Sequence, residues 1–148
     1  MTQHGDRSSH GAPKEVSPAE AYDALKSGAH ALLLDVRSAA EWTFVGQPVG
    51  PRGILSVEWQ SYPGMGLNPD FLKQATAAIA AAGGDKTTPV FVICRSGGRS
   101  RSAASALIAA GYQAINVAEG FEGDLDPSSG RRSQFNGWRH AGLPWRQS

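Results

Sequence analysis

Residues 89–100 read PVFVICRSGGRS, and this stretch decides the fold that the sequence predicts. Residues 90–93 form a short apolar run that is typical of a buried parallel strand. The run ends at Cys94, and a glycine-containing turn leads into a segment with a helical pattern at residues 99–110. A strand, a tight turn and a helix in this order predict a parallel sheet in which Cys94 lies at the carboxyl end of a strand.

The same alternation continues on both sides of this stretch. Besides the strand and helix just described, we predict helices over residues 18–26 and 38–42, a helix capped by residues 68–70 that runs to about residue 82, and strands over residues 31–36, 54–59 and 115–117. Strands that alternate with helices favour a three-layer α/β domain. Its central sheet is mostly parallel, with helices on both faces.

Bulk composition places the chain among ordinary globular proteins. Its 148 residues suffice for one domain, and 14 basic against 13 acidic residues give no overall charge that would favour nucleic acid or a membrane surface. We expect residues 1–13, which are polar and aperiodic, to form a flexible leader, and residues 14–148 to form a single domain. The sequence shows neither a secretory signal nor an apolar run of about 20 residues, so we expect a cytoplasmic protein.

Cys94 is the single cysteine of the chain, which excludes an internal disulfide. The four histidines are scattered, and no Cys/His cluster has the spacing of a zinc site. A lone cysteine at the end of a strand is often inert packing, because free cysteine is among the most buried residue types. The residues that follow Cys94 argue against that interpretation here.

The turn behind Cys94 has the composition of an anion-binding loop. Gly97 and Gly98 allow the backbone to turn tightly, so that successive N–H groups point inward. The helix that follows adds unpaired N–H donors at its N-terminus, and Arg95 and Arg99 add positive charge. Such surroundings favour the thiolate, which is the nucleophilic form of cysteine. The segment lacks the spacing of a P-loop or a dinucleotide-binding loop, which argues against a nucleotide phosphate ligand.

Four segments, in order along the chain, resemble one family. They are CRSGGRS at residues 94–100, DVR at residues 35–37 followed by Glu41, GYQAINV with EGF at residues 111–121, and GW with GLP at residues 137–144. They are similar to the active loop, the D-V-R-x-x-x-E element, the final strand with its turn, and the C-terminal ending of single-domain rhodaneses, the thiosulfate-type sulfurtransferases. The resemblance covers roughly residues 16–145 and implies a rhodanese-like fold.

The resemblance also implies an enzyme like thiosulfate sulfurtransferase, whose cycle runs through a persulfide on Cys94. Its partners would be a small anionic sulfur donor such as thiosulfate and an external acceptor, either cyanide, a thiol or a protein. Metals, organic cofactors, nucleic acid and membranes are not expected. The site would consist of Cys94 as the nucleophile and the loop residues Arg95, Ser96, Gly97, Gly98, Arg99 and Ser100.

Asp35 and Arg37 are possible supporting residues, because they follow a strand near the same edge of the sheet. We expect them chiefly to hold loops together. Arg37 and Glu41 have the four-residue spacing of an ion pair within a helix. Ser100 could donate to the sulfur or serve the first turn of its own helix.

Two alternatives stay open at this point. The chain could be a rhodanese-like sulfur carrier or partner-binding module with little activity on thiosulfate. It could also be a cysteine phosphatase or arsenate reductase, but only four residues separate Cys94 from Arg99, and a smaller ring of donors favours a sulfur atom over a tetrahedral oxyanion. The segments at residues 45–53 and 123–132 depart from the family pattern, so the sequence does not define the donor.

Overall fold

A computed structural model describes residues 12–28, 30–61, 64 and 66–147, and the flexible leader expected over residues 1–13 lies almost wholly outside them. No helix in these residues is both long and apolar enough to cross a membrane. The helices are α1 (Pro18–Ser27), α2 (Ala39–Phe44), α3 (Phe71–Ala81) and α4 (Gly98–Ala109). The strands are β1 (Lys14–Val16), β2 (Leu32–Asp35), β3 (Gln47–Pro48), β4 (Leu55–Ser56), β5 (Gln60–Ser61), β6 (Gly66–Leu67), β7 (Pro89–Ile93), β8 (Gln113–Val117) and β9 (Trp145–Arg146).

Five strands form the central sheet in the order β1-β8-β7-β2-β4, and every neighbouring pair is parallel. The strand before Cys94, β7, lies in the middle, and its register with β2 places Ile93 opposite Asp35. Two short antiparallel pairs, β3 with β9 and β5 with β6, lie outside this sheet. The prediction of an α/β domain with a mostly parallel central sheet is confirmed.

Alternate residues of the central strands face two separate apolar layers. On one face Leu34 and Val92 belong to a cluster that includes buried residues of α3 and α4. On the other face Leu33 and Phe91 pack with α1 and with Trp138 near the C-terminus. Strands that are apolar on both sides are typical of a parallel sheet covered on both faces, which explains the three-layer arrangement.

Besides the short strand pairs outside the central sheet, which the sequence analysis did not predict, three details differ from the sequence-based expectations. The sequence does not predict β1, because this short edge strand is mostly polar, yet it runs parallel to β8. The strand expected over residues 54–59 is reduced to Leu55–Ser56, since its partner β2 ends at Asp35. At the start of α3, Asp70 occupies the N-cap without a side-chain capping bond; instead its own N–H donates to Asn68 Oδ1 over 3.0 Å.

Candidate active site

Cys94 lies directly after β7, where the central strand ends and the turn to α4 begins. Only 1% of the residue is exposed. The backbone N–H of Gly97 donates to Cys94 Sγ over 3.2 Å, and Gly97 is the N-cap of α4. The sulfur therefore lies at the amino end of a 12-residue helix, where unpaired N–H groups and the helix dipole favour negative charge.

The two glycines of the turn are not equivalent. Gly97 has a φ of 111°, and a Cβ there would overlap the backbone oxygen of Ala118, so both conformation and space require glycine. Gly98 is the first residue of α4, and nothing lies within 4 Å of a Cβ built on it. Of the two, only Gly97 is required by the shape of the turn.

The segment that follows β8 also holds the turn after Cys94 in place. The backbone N–H groups of Phe121 and Glu122 donate to the oxygens of Cys94 and Arg95 over 2.8 and 2.9 Å. Gly120 has a φ of 69°, and a Cβ there would come within 2.7 Å of both carbonyl oxygens. The position of Cys94 therefore depends on this closely packed segment as well as on β7.

Arg99, the second arginine of the turn, is paired with a carboxylate. Its Nη1 and Nη2 donate to Oε1 and Oε2 of Glu41 over 2.7 and 2.9 Å, and both side chains are 19% exposed. Glu41 lies in the first turn of α2 and also accepts from the backbone N–H and the hydroxyl of Ser38. Burial opposes the charged form of Glu41, but the bonds and charge of Arg99 together with Ser38 lower the pKa of its carboxyl to about 2. The charge of Arg99 is thus compensated before any ligand binds.

Arg95, in contrast, is exposed and forms no ion pair with the described residues. It lines a pocket of about 710 Å³ beside the turn. Glu122 contributes a carboxylate to this pocket that is likewise outside the described ion pairs. The remaining lining residues are Ser38, Ala40, Glu41, Val45, Gln60 and Arg99. The pocket therefore carries charges of both signs, and Arg95 is its uncompensated cation.

Ser100 lies next to Cys94, Asn116 lies next to Ser100, and both residues are fully buried. Ser100 Oγ is 3.3 Å from Cys94 Sγ, 3.3 Å from the oxygen of Gly97 and 2.5 Å from Asn116 Oδ1. Asn116 Nδ2 donates to the oxygen of Gly97 and to Glu15 Oε1, each over 3.1 Å. Ser100 thus contacts both the sulfur and the first turn of its helix, the two possibilities that the sequence left open.

Asp35 and Arg37 form a fully buried ion pair in which neither side chain is exposed. Arg37 Nη2 is 2.7 Å from Asp35 Oδ2 and also donates to the oxygen of Gly46 over 2.6 Å. The guanidinium lies 4.6 Å from the centre of the Phe121 ring. The pair thereby connects the end of β2 with Gly46, which follows α2, and with Phe121, whose segment holds the Cys94 turn. Asp35 and Arg37 therefore support the site without lining it.

The prediction of an ion pair between Arg37 and Glu41, which their spacing suggested, is wrong. Arg37 binds Asp35, whereas Glu41 binds Arg99, which lies 58 residues further along the chain. Arg37 precedes the first residue of α2, so the geometry of residues four apart in a helix does not apply to it.

Asn116 is a site residue that the sequence analysis did not single out for a role. A polar residue inside the apolar strand β8 was the available signal, because a buried amide needs hydrogen-bond partners. Ser96, which was expected in the site, makes no hydrogen bond to the sulfur among the described residues, and its side chain is partly exposed. The described part of the chain also contains no group of three His, Cys, Asp or Glu side chains that could hold a metal ion.

A protein-family model matches most of this sequence. The model of the rhodanese-like domain covers residues 17–125, which include β2, α2, β7 and the whole turn from Cys94 to Ser100. The chain belongs to the rhodanese-like domain family. This membership supports a transferase of sulfur in general terms, and it confirms the family that the sequence resembles.

Individual proteins are similar to this chain over most of its length. The crystal structure of Rv0390 from M. tuberculosis has a TM-score of 0.81 and 39% identity, and the match covers 93% of this chain and 99% of that one. An uncharacterised protein of Rickettsia rickettsii is 35% identical over 136 residues, 89% of this chain and 96% of the relative. The chloroplastic thiosulfate sulfurtransferase 16 of Arabidopsis thaliana is 29% identical over 132 residues, 89% of this chain and 92% of the relative.

Proposed function

We propose that the protein is a sulfurtransferase that moves a sulfane sulfur from an anionic donor such as thiosulfate to a thiophilic acceptor through a persulfide on Cys94. The observation that carries the proposal is the 3.2 Å contact between the Gly97 N–H and Cys94 Sγ at the start of α4. A helix N-terminus favours negative charge, and both the thiolate and the persulfide of cysteine are anions. The family and its thiosulfate sulfurtransferase member support the same reaction class.

In the first half of the cycle, the Cys94 thiolate attacks the outer sulfur of thiosulfate. A bond forms between Sγ and that sulfur, the S–S bond of thiosulfate breaks, and its electron pair leaves with sulfite. The persulfide carries one negative charge and sulfite carries two, which balances the charges of the thiolate and thiosulfate. Backbone N–H groups at the start of α4 stabilise the persulfide without moving, as preorganised donors do.

In the second half, cyanide or a thiolate attacks the outer sulfur of the persulfide. The new bond takes that sulfur away as thiocyanate or as the acceptor's persulfide, and the electron pair of the broken S–S bond restores the Cys94 thiolate. Because Cys94 is the single cysteine of the chain, an acceptor thiol must come from another molecule.

The two arginines of the turn have different roles in this cycle. Arg95 is exposed and forms no ion pair within the described part of the chain, so it attracts an anionic donor to the pocket. Arg99 forms a bidentate ion pair with Glu41, and the main effect of this pair is to hold α2 against the turn. Glu122 opposes this attraction from the same pocket, which disfavours donors with a high negative charge.

Intact-mass spectrometry after incubation with thiosulfate tests the proposal directly. We expect the wild-type protein to gain the mass of one sulfur atom and to lose it on addition of cyanide, with thiocyanate as the product. Cys94→Ser is the matched control, because it removes the only thiol of the chain and should show no gain. A gain that persists in Cys94→Ser, or the absence of a gain with every sulfane donor tried, would overturn the proposal.

Mass spectrometry with other sulfur donors, together with a phosphatase assay, separates the two alternatives. Loading by a polysulfide or an organic persulfide but not by thiosulfate would identify a sulfur carrier for a partner. Hydrolysis of a small aryl phosphate, without sulfur loading from any donor, would identify a phosphatase instead.

A further inference from the structure

We infer that Asn116 is a positioning residue that controls where Ser100 directs its hydroxyl proton, and thereby how readily Cys94 becomes a thiolate. The inference deepens the proposed function, because the thiolate is the species that attacks the donor. Its test, however, measures how fast the Cys94 thiol is alkylated and does not require sulfur transfer. The evidence is a chain of hydrogen bonds that runs from Cys94 to the edge strand β1.

The amide of Asn116 is held in one orientation. Its Nδ2 donates to Glu15 Oε1 and to the oxygen of Gly97, and both of these atoms only accept. The hydrogen bond from Arg101 lowers the pKa of the Glu15 carboxyl against the opposing effect of burial, and the bond from Asn116 lowers it further. A flipped amide would point Oδ1 at two acceptors, so Oδ1 must face Ser100.

Ser100 has one hydroxyl proton and three neighbours within reach. Asn116 Oδ1 lies 2.5 Å away, while Cys94 Sγ and the oxygen of Gly97 lie 3.3 Å away. Of the three, only a protonated Cys94 can also donate. When Cys94 is a thiol, its S–H donates to Ser100 Oγ and the Ser100 hydroxyl donates to Asn116. In that state both polar side chains are satisfied.

The thiolate disturbs this arrangement. A negatively charged sulfur receives one hydrogen bond from the Gly97 N–H. Ser100 could add a second only by turning its proton away from Asn116, which would leave two oxygen lone pairs facing each other at 2.5 Å in a fully buried place. Asn116 therefore competes with the thiolate for the proton of Ser100.

In the persulfide state, Asn116 and the sulfur no longer compete for the proton of Ser100. Its charge lies on the outer sulfur, so Sγ no longer needs the proton of Ser100, and the bond from Ser100 to Asn116 stays intact. Asn116 thus favours the thiol and the loaded persulfide over the bare thiolate. The expected consequence is a resting cysteine that is protected until a donor arrives.

Charged groups also surround the chain of bonds. Arg99 and Arg101 of α4 interact electrostatically with Cys94, Asp35 interacts with Arg99, and Glu15 of β1 interacts with Arg101. Substitutions of Asn116 and Ser100 remove none of these charges. Asn116→Ala also removes the hydrogen bond to the Glu15 carboxylate, but this loss is the same with and without Ser100, so combining the two substitutions isolates the hydrogen bond between Ser100 and Asn116.

The test is a double-mutant cycle read by the rate of Cys94 alkylation with iodoacetamide across a pH series. The four proteins are the wild type, Asn116→Ala, Ser100→Ala and the double variant. We expect Asn116→Ala to speed alkylation near neutral pH by about tenfold, because Ser100 becomes free to donate to the thiolate. In the Ser100→Ala background the same substitution should change the rate by less than about twofold.

Two results would overturn the inference. An equal increase with and without Ser100 would mean that Asn116 acts by holding Gly97 O, and a slower or unchanged rate in Asn116→Ala would mean that no competition exists. If circular dichroism shows that Asn116→Ala is unfolded, Asn116→Leu removes both amide groups while keeping a branched side chain in the core. A protein that passes this test but takes no sulfur from any donor would contradict the proposed function and leave the role of Asn116 standing.

Discussion

Two arginine–carboxylate pairs flank Cys94, and they differ in how far they are removed from water. The buried pair, Asp35 and Arg37, joins residues two positions apart at the end of β2, and neither side chain has any exposed surface. The pocket pair, Glu41 and Arg99, joins residues 58 positions apart, and both side chains are 19% exposed. Each pair contains at least two hydrogen bonds between its side chains.

Because of this difference in exposure, we expect the two pairs to affect different properties of the protein. Removing one member of a buried pair leaves an uncompensated charge without water, whereas a partly exposed pair is screened and contributes less to stability. We therefore expect changes to the buried pair to act on folding around Cys94. Changes to the pocket pair, and to the unpaired charges beside it, should act on acid stability and on the use of anionic donors.

Asp35→Asn breaks the buried pair while keeping the size of the side chain. Arg37 is left as a buried charge, so we expect the free energy of unfolding to fall by about 3–5 kcal/mol in urea denaturation. Asp23→Asn, a change at an exposed carboxylate of α1, should stay within about 0.5 kcal/mol of the wild type. A loss below about 1 kcal/mol in Asp35→Asn would show that the structure around Cys94 does not require the pair.

Two neighbouring glycines of the Cys94 turn, Gly97 and Gly98, can be compared by replacing each with alanine. Gly97→Ala forces a side chain into the left-handed region and against Ala118, so we expect a loss of about 1–3 kcal/mol and no sulfur loading by mass spectrometry. Gly98→Ala meets open space at the start of α4 and should keep the wild-type stability within about 0.5 kcal/mol. Equal losses in the two variants would contradict the assignment of the strained position to Gly97.

Glu41→Gln removes the negative charge from the pocket pair. The pKa of Glu41 is lowered from 4.5 to about 2 in the folded protein, so its carboxylate stabilises the fold above pH 4.5 and loses this effect as the pH falls toward 2. After allowance for solvent screening, we expect the wild type to lose on the order of 1 kcal/mol more than Glu41→Gln over that interval.

The measurement is urea denaturation at a series of acidic pH values. Asp23→Asn is again the control and should follow the wild-type curve, since its side chain is exposed. Parallel curves for the wild type and Glu41→Gln would mean that the pocket pair contributes nothing to acid stability.

The smallest effects should come from the unpaired charges of the pocket. Arg95→Ala should lower kcat/KM for thiosulfate by about threefold, and Glu122→Gln should raise it by a similar factor, because the two side chains have opposite signs in one pocket. Added salt should reduce both differences. Changes of the same sign in both variants would argue against attraction of the donor by pocket charge.

Much of the fold follows from local patterns in the sequence. The apolar runs of β2 and β7 predict buried parallel strands, and Ser17 with Glu20 forms the capping box that begins α1. The polar strand β1 could not be predicted in this way, because its pairing with β8 supplies a stability that its own residues do not encode. The same holds for β3 and β9, which are each two residues long and pair Gln47 with Arg146, 99 positions further along the chain.

The residues that surround the cysteine along the chain can be recognised without a structure, because the turn from Cys94 to Ser100 is continuous in the sequence with its glycines and charges. How those residues pair is visible only in the folded protein. Glu41 neutralises Arg99 and leaves Arg95 uncompensated, and Asn116 reaches Ser100 from a neighbouring strand. Hydrogen bonds and ion pairs depend on distance in space: Glu41 and Arg99 lie in the helices that follow the paired strands β2 and β7, and Asn116 lies on β8, the other neighbour of β7.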